Sequence, residues 1–143
     1  MAMMNYDDLL MPQISKLSRL VPQLMEAPLK EINISMQEFR IVGLLIGEVG
    51  ISQKDLAKKL SVKASTLSVA ISVLEGKGYI NRKVSPVDKR VNLLTLDDDA
   101  DLSEANDIVL GMEDMLIEGI SKKDMEITKR VLKRMWVNLS SRL

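Results

Sequence analysis

From Tyr6 to about Ile32 the apolar residues Leu10, Ile14, Leu17, Val21 and Leu24 recur at steps of three and four, the period of one helix face. This spacing predicts a long first helix. Pro12 fits its first turn, but Pro22 lies inside the pattern, where it removes a backbone donor, and Pro28 should end or break the helix, so a kink is expected. Ser35-Met-Gln-Glu38 has the order of a capping box and leads into Phe39, Val42, Leu45 and Ile46, with a stop near Gly47–Gly50. The same device returns at Ser52 to Asp55, opening a short helix with Leu56 and Leu60 inward, and at Ser121 to Asp124, opening the last helix.

In the next helix, beginning near Lys63, Leu67, Ala70, Ile71 and Leu74 fall at i, i+3, i+4 and i+7 and must face the core. A rotation of about 100° per residue then puts Ser65, Val69 and Ser72 on the opposite side, with Thr66 and Ser68 on the flanks. Gly76 and Gly78 end the helix, because glycine accepts the left-handed conformation beyond a C-terminus. An extended run from Tyr79 to Val84 and another from Val91 to Leu96 form a hairpin whose tip, Ser85-Pro86-Val87-Asp88-Lys89-Arg90, joins turn formers to positive charge. Asp97 is positioned to cap a long helix carrying Leu102, Ala105, Val109, Met112 and Leu116. The last helix carries Ile127 or Thr128, Val131, Met135 and Leu139 beside Trp136.

The expected fold class is mainly α with a small β-wing: a winged helix-turn-helix flanked by long dimerisation helices. Three segments are expected: an N-terminal dimerisation helix over 1–34, the winged module over 35–97, and C-terminal dimerisation helices over 98–143. The flanking helices are amphipathic and too many for so small a module to cover, so a second copy of the chain is their expected partner.

Charge sharpens this picture. The formal net charge is zero over 143 residues, but residues 52–96 hold nine basic side chains against three acidic ones, a local net of +6 that the rest of the chain cancels. A positive module in an acidic frame is the electrostatic footprint of a protein that binds phosphate backbones. Small hydroxyl side chains let a helix sit deep in a major groove, and a valine there can touch a thymine methyl. An arginine on a projecting loop can enter a narrow minor groove, with a neighbouring aspartate holding its guanidinium. Candidate DNA contacts are therefore Lys63, Ser65, Thr66, Ser68, Val69, Ser72, Arg82, Lys83, Asp88, Lys89 and Arg90.

Composition narrows the alternatives. The chain has neither cysteine nor histidine, which removes disulfides, thiolate nucleophiles, the commonest general base and the usual transition-metal ligands. No nucleophile and base pair or phosphate-cradling glycine loop stands in the sequence, so no catalytic residues, metal site or cofactor are expected. Asp97, Asp98, Asp99 and Asp101 could suggest a hard cation, but carboxylates at a helix start account for them better. No run reaches the length of a membrane span and no secretory signal opens the chain, so a cytoplasmic protein without a membrane partner is expected. With only four aromatic residues, methionine fills gaps; Met25, Met36, Met112, Met115, Met125 and Met135 fall at core or near-core positions.

The run DLAKKLSVKASTLSVAISVLEGKGYINR, followed by SPVDKRVNLLTL, resembles the helix-turn-helix and wing of the MarR family of transcriptional regulators, with Asp88-Lys89-Arg90 where that family has its D-x-R motif. The resemblance extends to the long leading helix and two trailing helices. It implies a homodimeric regulator, most often a repressor, on a pseudo-palindromic double-stranded DNA operator, released by a small, often aromatic or phenolic, effector. The departures are Lys63 where a serine-like cap is common, Val69 where an arginine or other polar group is common, and Asp97 and Ala100 where the family has threonine and glycine. Lysine at a helix start opposes the macrodipole unless a phosphate compensates it, which makes Lys63 a backbone contact. The competing reading is a winged-helix protein-interaction module that has lost specific DNA recognition.

Overall fold

In the computed structural model, which describes residues 3–48 and 50–143, the helical elements are α1 (Leu10–Glu31), α2 (Met36–Leu45), α3 (Gln53–Leu60), α4 (Ala64–Gly76), α5 (Ser103–Ile117) and α6 (Lys122–Ser140). The strands are β1 (Ile51–Ser52), β2 (Ile80–Val84) and β3 (Asn92–Leu96). A short 3-10 turn at Tyr6–Asp8 precedes α1, so α1 starts later than its apolar pattern suggested. It also outlasts Pro28, with both Pro22 and Pro28 inside it. Proline removes one donor, but Leu29 beside it is fully buried. The turn beyond closes through the amides of Ile32 and Ile34 on the Leu29 carbonyl, with Asn33 in the left-handed region at φ 59°.

The capping box at α2 is complete: the Glu38 amide donates to Ser35 Oγ and the Ser35 amide to Glu38 Oε2, each at 3.1 Å. At α3 and α6 only half of it forms. Ser52 and Ser121 accept from the amides of Asp55 and Asp124 at 3.1 Å, without a return bond, because aspartate is one methylene shorter than glutamate. In α2 the buried face is Ile41, Val42 and Leu45, whereas Ile46 is exposed. Ile46 is the C-cap with an extended backbone, so the helical phase that would turn it inward has already ended.

Ile51, Leu56, Ala57, Leu67, Ile71, Leu74, Ile80 and Leu94 join the α2 residues in one core, with Leu56, Leu67, Ile71, Leu74 and Leu94 wholly inaccessible to solvent. The sheet has the order β1-β3-β2 and is antiparallel throughout, with Ile51 opposite Leu94 and β2 paired from Ile80 opposite Leu96 to Val84 opposite Asn92. β1 is too short to show alternation in sequence. Its hydrogen bonds nevertheless attach the entrance of α3 to the wing.

The expectation that Asp97 caps α5 is corrected. Asp97 accepts from the Asp99 amide at 2.8 Å in a turn of its own, and α5 begins only at Ser103, whose amide and hydroxyl both donate to Asp101 Oδ1, at 3.0 and 2.6 Å. Those bonds, the hydroxyl's first, hold the Asp101 carboxyl below the usual aspartate value. The intervening turn lets Leu102 pack on the core.

Residues to Ile108 form one compact unit and Val109–Leu143 a second. In the first, Leu10, Ile14, Leu17, Leu20 and Leu24 of α1 are exposed, so the apolar stripe of that helix lacks a partner among the described residues of its own unit. In the second, α6 buries no residue, and Val131, Leu132, Trp136, Val137 and Leu139 are exposed. Met25 and Met112 are buried as expected, but Met115 is exposed.

Candidate nucleic-acid interface

With Leu67, Ile71 and Leu74 fixed in the core, helical geometry leaves Ser65, Thr66, Val69, Ser72 and Val73 as the outward face of α4, and all five are exposed. Ser68 is half-buried on the flank. The turn into α4 is made by Ser61 at φ 54°, a left-handed residue that ends α3 and redirects the chain within three residues. Lys63 is the N-cap of α4 and makes no side-chain capping bond, so its ammonium stays in solvent beside the helix entrance.

The wing presents Lys83, Lys89 and Arg90 to solvent, the Arg90 side chain 90% exposed. Its tip is built by short-range bonds. Ser85 Oγ accepts from the amides of Val87 and Asp88, and the Ser85 amide meets the Val91 carbonyl at 2.8 Å. Asp88 then takes the Arg90 amide at 3.0 Å and the Arg90 guanidinium through both carboxylate oxygens, at 3.2 and 3.3 Å. The guanidinium, followed by the amide, holds the Asp88 carboxyl below the usual aspartate value. A flexible arginine is thereby held in one direction ahead of any contact.

Arg82 is arranged differently. Along β2 it shares a face with buried Ile80 and lies opposite buried Leu94, so its side chain runs over α4 and away from the wing tip. There Arg82 Nε donates to Glu75 Oε1 at 2.6 Å and Nη2 lies 3.4 Å from Ser72 Oγ, while that hydroxyl donates back to the Ser68 carbonyl at 3.1 Å. Arg82 and Ser72 are thus engaged within the module, as a strut between wing and helix. The sequence held a signal for this: Glu75 is the only charged residue within α4, and the i, i+2 spacing of Ile80 and Arg82 puts both on one strand face.

A second fastening lies at the other end of α4, among residues not singled out from the sequence. Lys77 donates to Glu38 Oε2 at 2.9 Å and to the Asn33 carbonyl at 2.6 Å, tying the end of α4 to the capping box of α2 and the turn after α1. This pair floors a groove of about 640 Å³ lined by Pro22, Gln23, Glu26, Lys30, Ile34 and Met36. Among the described residues Lys63, Lys83 and Lys89 have no carboxylate within ion-pair distance, so their charge is uncompensated where α4 and the wing meet solvent. The described residues contain no cluster of metal-ligating side chains and no helix long and apolar enough to cross a membrane.

Comparison with known proteins agrees with this architecture. The model of the MarR family matches residues 34–91. An uncharacterised HTH-type transcriptional regulator of Bacillus subtilis (strain 168), YdgJ, is 34% identical over 65 residues, a stretch that takes in 46% of the chain and 40% of that relative. Among solved structures, a MarR transcriptional regulator from Methanosarcina mazei Go1 superposes with a TM-score of 0.81 at 22% identity, covering 92% of this chain and 96% of that one. The transcriptional repressor CouR, bound to a 23-mer DNA duplex, superposes at 0.76 with 23% identity over 94% and 97% of the two chains. These structural likenesses are of fold. Over residues 34–91 the chain is similar to the MarR family, and it spans less than half the length of the curated regulator it matches.

Proposed function

We propose that the protein is a homodimeric, sequence-specific DNA-binding regulator, acting as a repressor, whose operator affinity is modulated by a small organic ligand. The observation that carries this reading is the arginine at the wing tip, held by Asp88 while 90% exposed, beside an outward α4 face flanked by the uncompensated Lys63, Lys83 and Lys89. An arginine so restrained suits a minor groove, and the free lysines suit phosphates. Support for DNA as the partner also comes from CouR, which shares the fold and is bound to a duplex. The unpartnered apolar stripes of α1 and of α6 support self-association, since exposed faces of this kind mark protein contacts. Two α4 helices in successive major grooves then require a pseudo-palindromic site.

The groove floored by Glu38 and Lys77 has the volume of a small-molecule site. A ligand carboxylate that competes with Glu38 for Lys77 would loosen the end of α4, favouring one head arrangement over another. The test is a fluorescence-anisotropy titration of duplex DNA at several salt concentrations, with a panel of aromatic acids in parallel. Affinity should fall with salt and with at least one of the acids. The alternative, a protein-interaction module, draws on an α4 outward face without a single charged side chain. Binding that ignores salt, or no binding to any duplex, would favour it.

A further inference from the structure

The outward face of α4 has an unusual composition for a surface helix. Val69 is 68% exposed and Val73, four residues on, 40% exposed, so two β-branched apolar side chains form one ridge in solvent. Neither contributes to the core, and β-branched residues are not favoured in exposed helix positions, so the fold gives no reason for them. On the same face Ser65 offers only a hydroxyl and Thr66 a hydroxyl with one methyl at the helix start, and Ser72 is already bonded to the Ser68 carbonyl. The one charged residue of α4, Glu75, is held by Arg82. Within Ala64–Gly76 there is no arginine, lysine, asparagine or glutamine. The paired bonds by which proteins identify guanine or adenine in the major groove are therefore unavailable to the body of this helix. What the ridge offers instead is methyl groups, and one base displays a methyl in the major groove.

We propose that Val69, with Val73 beside it, reads thymine 5-methyl groups in the major groove, so that each half-site is selected by methyl contact at a T·A pair. This rests on the DNA-binding reading above. The surrounding charge supports DNA as the occupant of the ridge: Lys63 at the helix entrance and Lys83, Lys89 and Arg90 on the wing are all exposed. Those cations hold the helix on the phosphates, which carry no sequence information, and leave discrimination to the ridge.

The experiment uses duplexes of about 30 base pairs, spanning two half-sites one helical turn apart, selected by the full chain from a random-sequence pool. Each thymine of the selected duplex is then replaced in turn by deoxyuridine, which lacks only the methyl. Burial of one methyl predicts a loss of about fourfold for a single replacement at the contacted position, and about 15-fold when both half-sites are changed. Val69→Ser, whose thermal stability is measured alongside, should make thymine and deoxyuridine equivalent at that position. A deoxyuridine scan that is flat for the natural protein, or a Val69→Ser variant that keeps the preference, overturns the proposal while leaving DNA binding in place. If the pool yields no bound duplex even at low salt, the DNA-binding reading falls, and this inference with it.

Discussion

Replacing Arg90 with alanine separates intermolecular from intramolecular work at the wing. The guanidinium is 90% exposed and touches only Asp88, while the bond from the residue-90 amide to Asp88 Oδ1 involves backbone and survives the substitution. Folding and thermal stability should therefore be unchanged. For DNA the effect has a definite form. Each phosphate neutralised adds about 0.9 to the slope of log affinity against log salt. In the proposed dimer two wings each lose one cation, which in the minor groove displaces condensed counterions as it would at a phosphate, so the variant's slope should be shallower by about 1.8. Between 50 and 200 mM salt the defect should accordingly shrink by about 12-fold, because the natural protein loses affinity faster. The control is Arg82→Ala. Its guanidinium is bound to Glu75 at 2.6 Å, so that variant should lose stability and affinity while keeping the original salt slope. Anisotropy titrations of a duplex at four salt concentrations, with thermal melts of each variant, give all the required numbers. Parallel slopes for Arg90→Ala and the natural protein, with equal affinity, would refute the assignment of Arg90 as a DNA contact.

Other substitutions test the supports of the interface. Lys77→Met should cost about 2 kcal/mol in chemical denaturation, between the values for exposed and fully buried pairs, since it leaves the mostly buried Glu38 carboxylate without its cation; Lys77→Arg should restore most of it. Leu94→Ala, at a position with no solvent exposure, should cost about 3 kcal/mol and weaken the wing and the helical core together, visible as a single cooperative transition at lower denaturant. DNA affinity should be flat between about pH 6 and 8.5, because the chain has no histidine and Asp88 titrates below its ordinary value. Since the folded value is the lower one, the Asp88 clip is present above the unfolded pKa and is lost as pH falls through the folded value, below the ordinary aspartate range. Truncation before Ser121 removes the exposed apolar face of α6 from its proposed partner and should give aggregation or unfolding, with a well-folded monomer in sedimentation counting against the dimer.

Legibility in the sequence followed the range of the forces. The three serine-capped helix starts and the core face of α4 could be read directly because each depends on neighbours within one or two turns. The Asp88 and Arg90 clip was legible for the same reason. The strut from Arg82 to Glu75 and the fastening of Lys77 to Glu38 were missed because their partners meet only after the chain has folded, the latter across 39 residues. Asp97 and Asp101 are equivalent in sequence as helix starters; what selects Ser103 as the beginning of α5 is the docking of Leu102, a tertiary contact. Ile46 and Met115 show the opposite error, since periodicity is extended past the end of a helix in one case and past the single chain's own core in the other.

The central place of β3 also sets the order in which this protein can be made. α2, α3 and α4 contact one another, but α2 and α3 also contact β3, and β3 pairs with β1, the partners Ile51 and Leu94 being separated by the two helices and the strand between them. Loop closure over that distance comes after the local helices, so the last strand of the wing is the closing piece of the core and not an appendage to it. During synthesis the helical part would leave the ribosome with the site for Leu94 open, exposing apolar surface until residue 96 has emerged. A nascent chain of this design is complete only when the element that carries its projecting arginine has also sealed its interior.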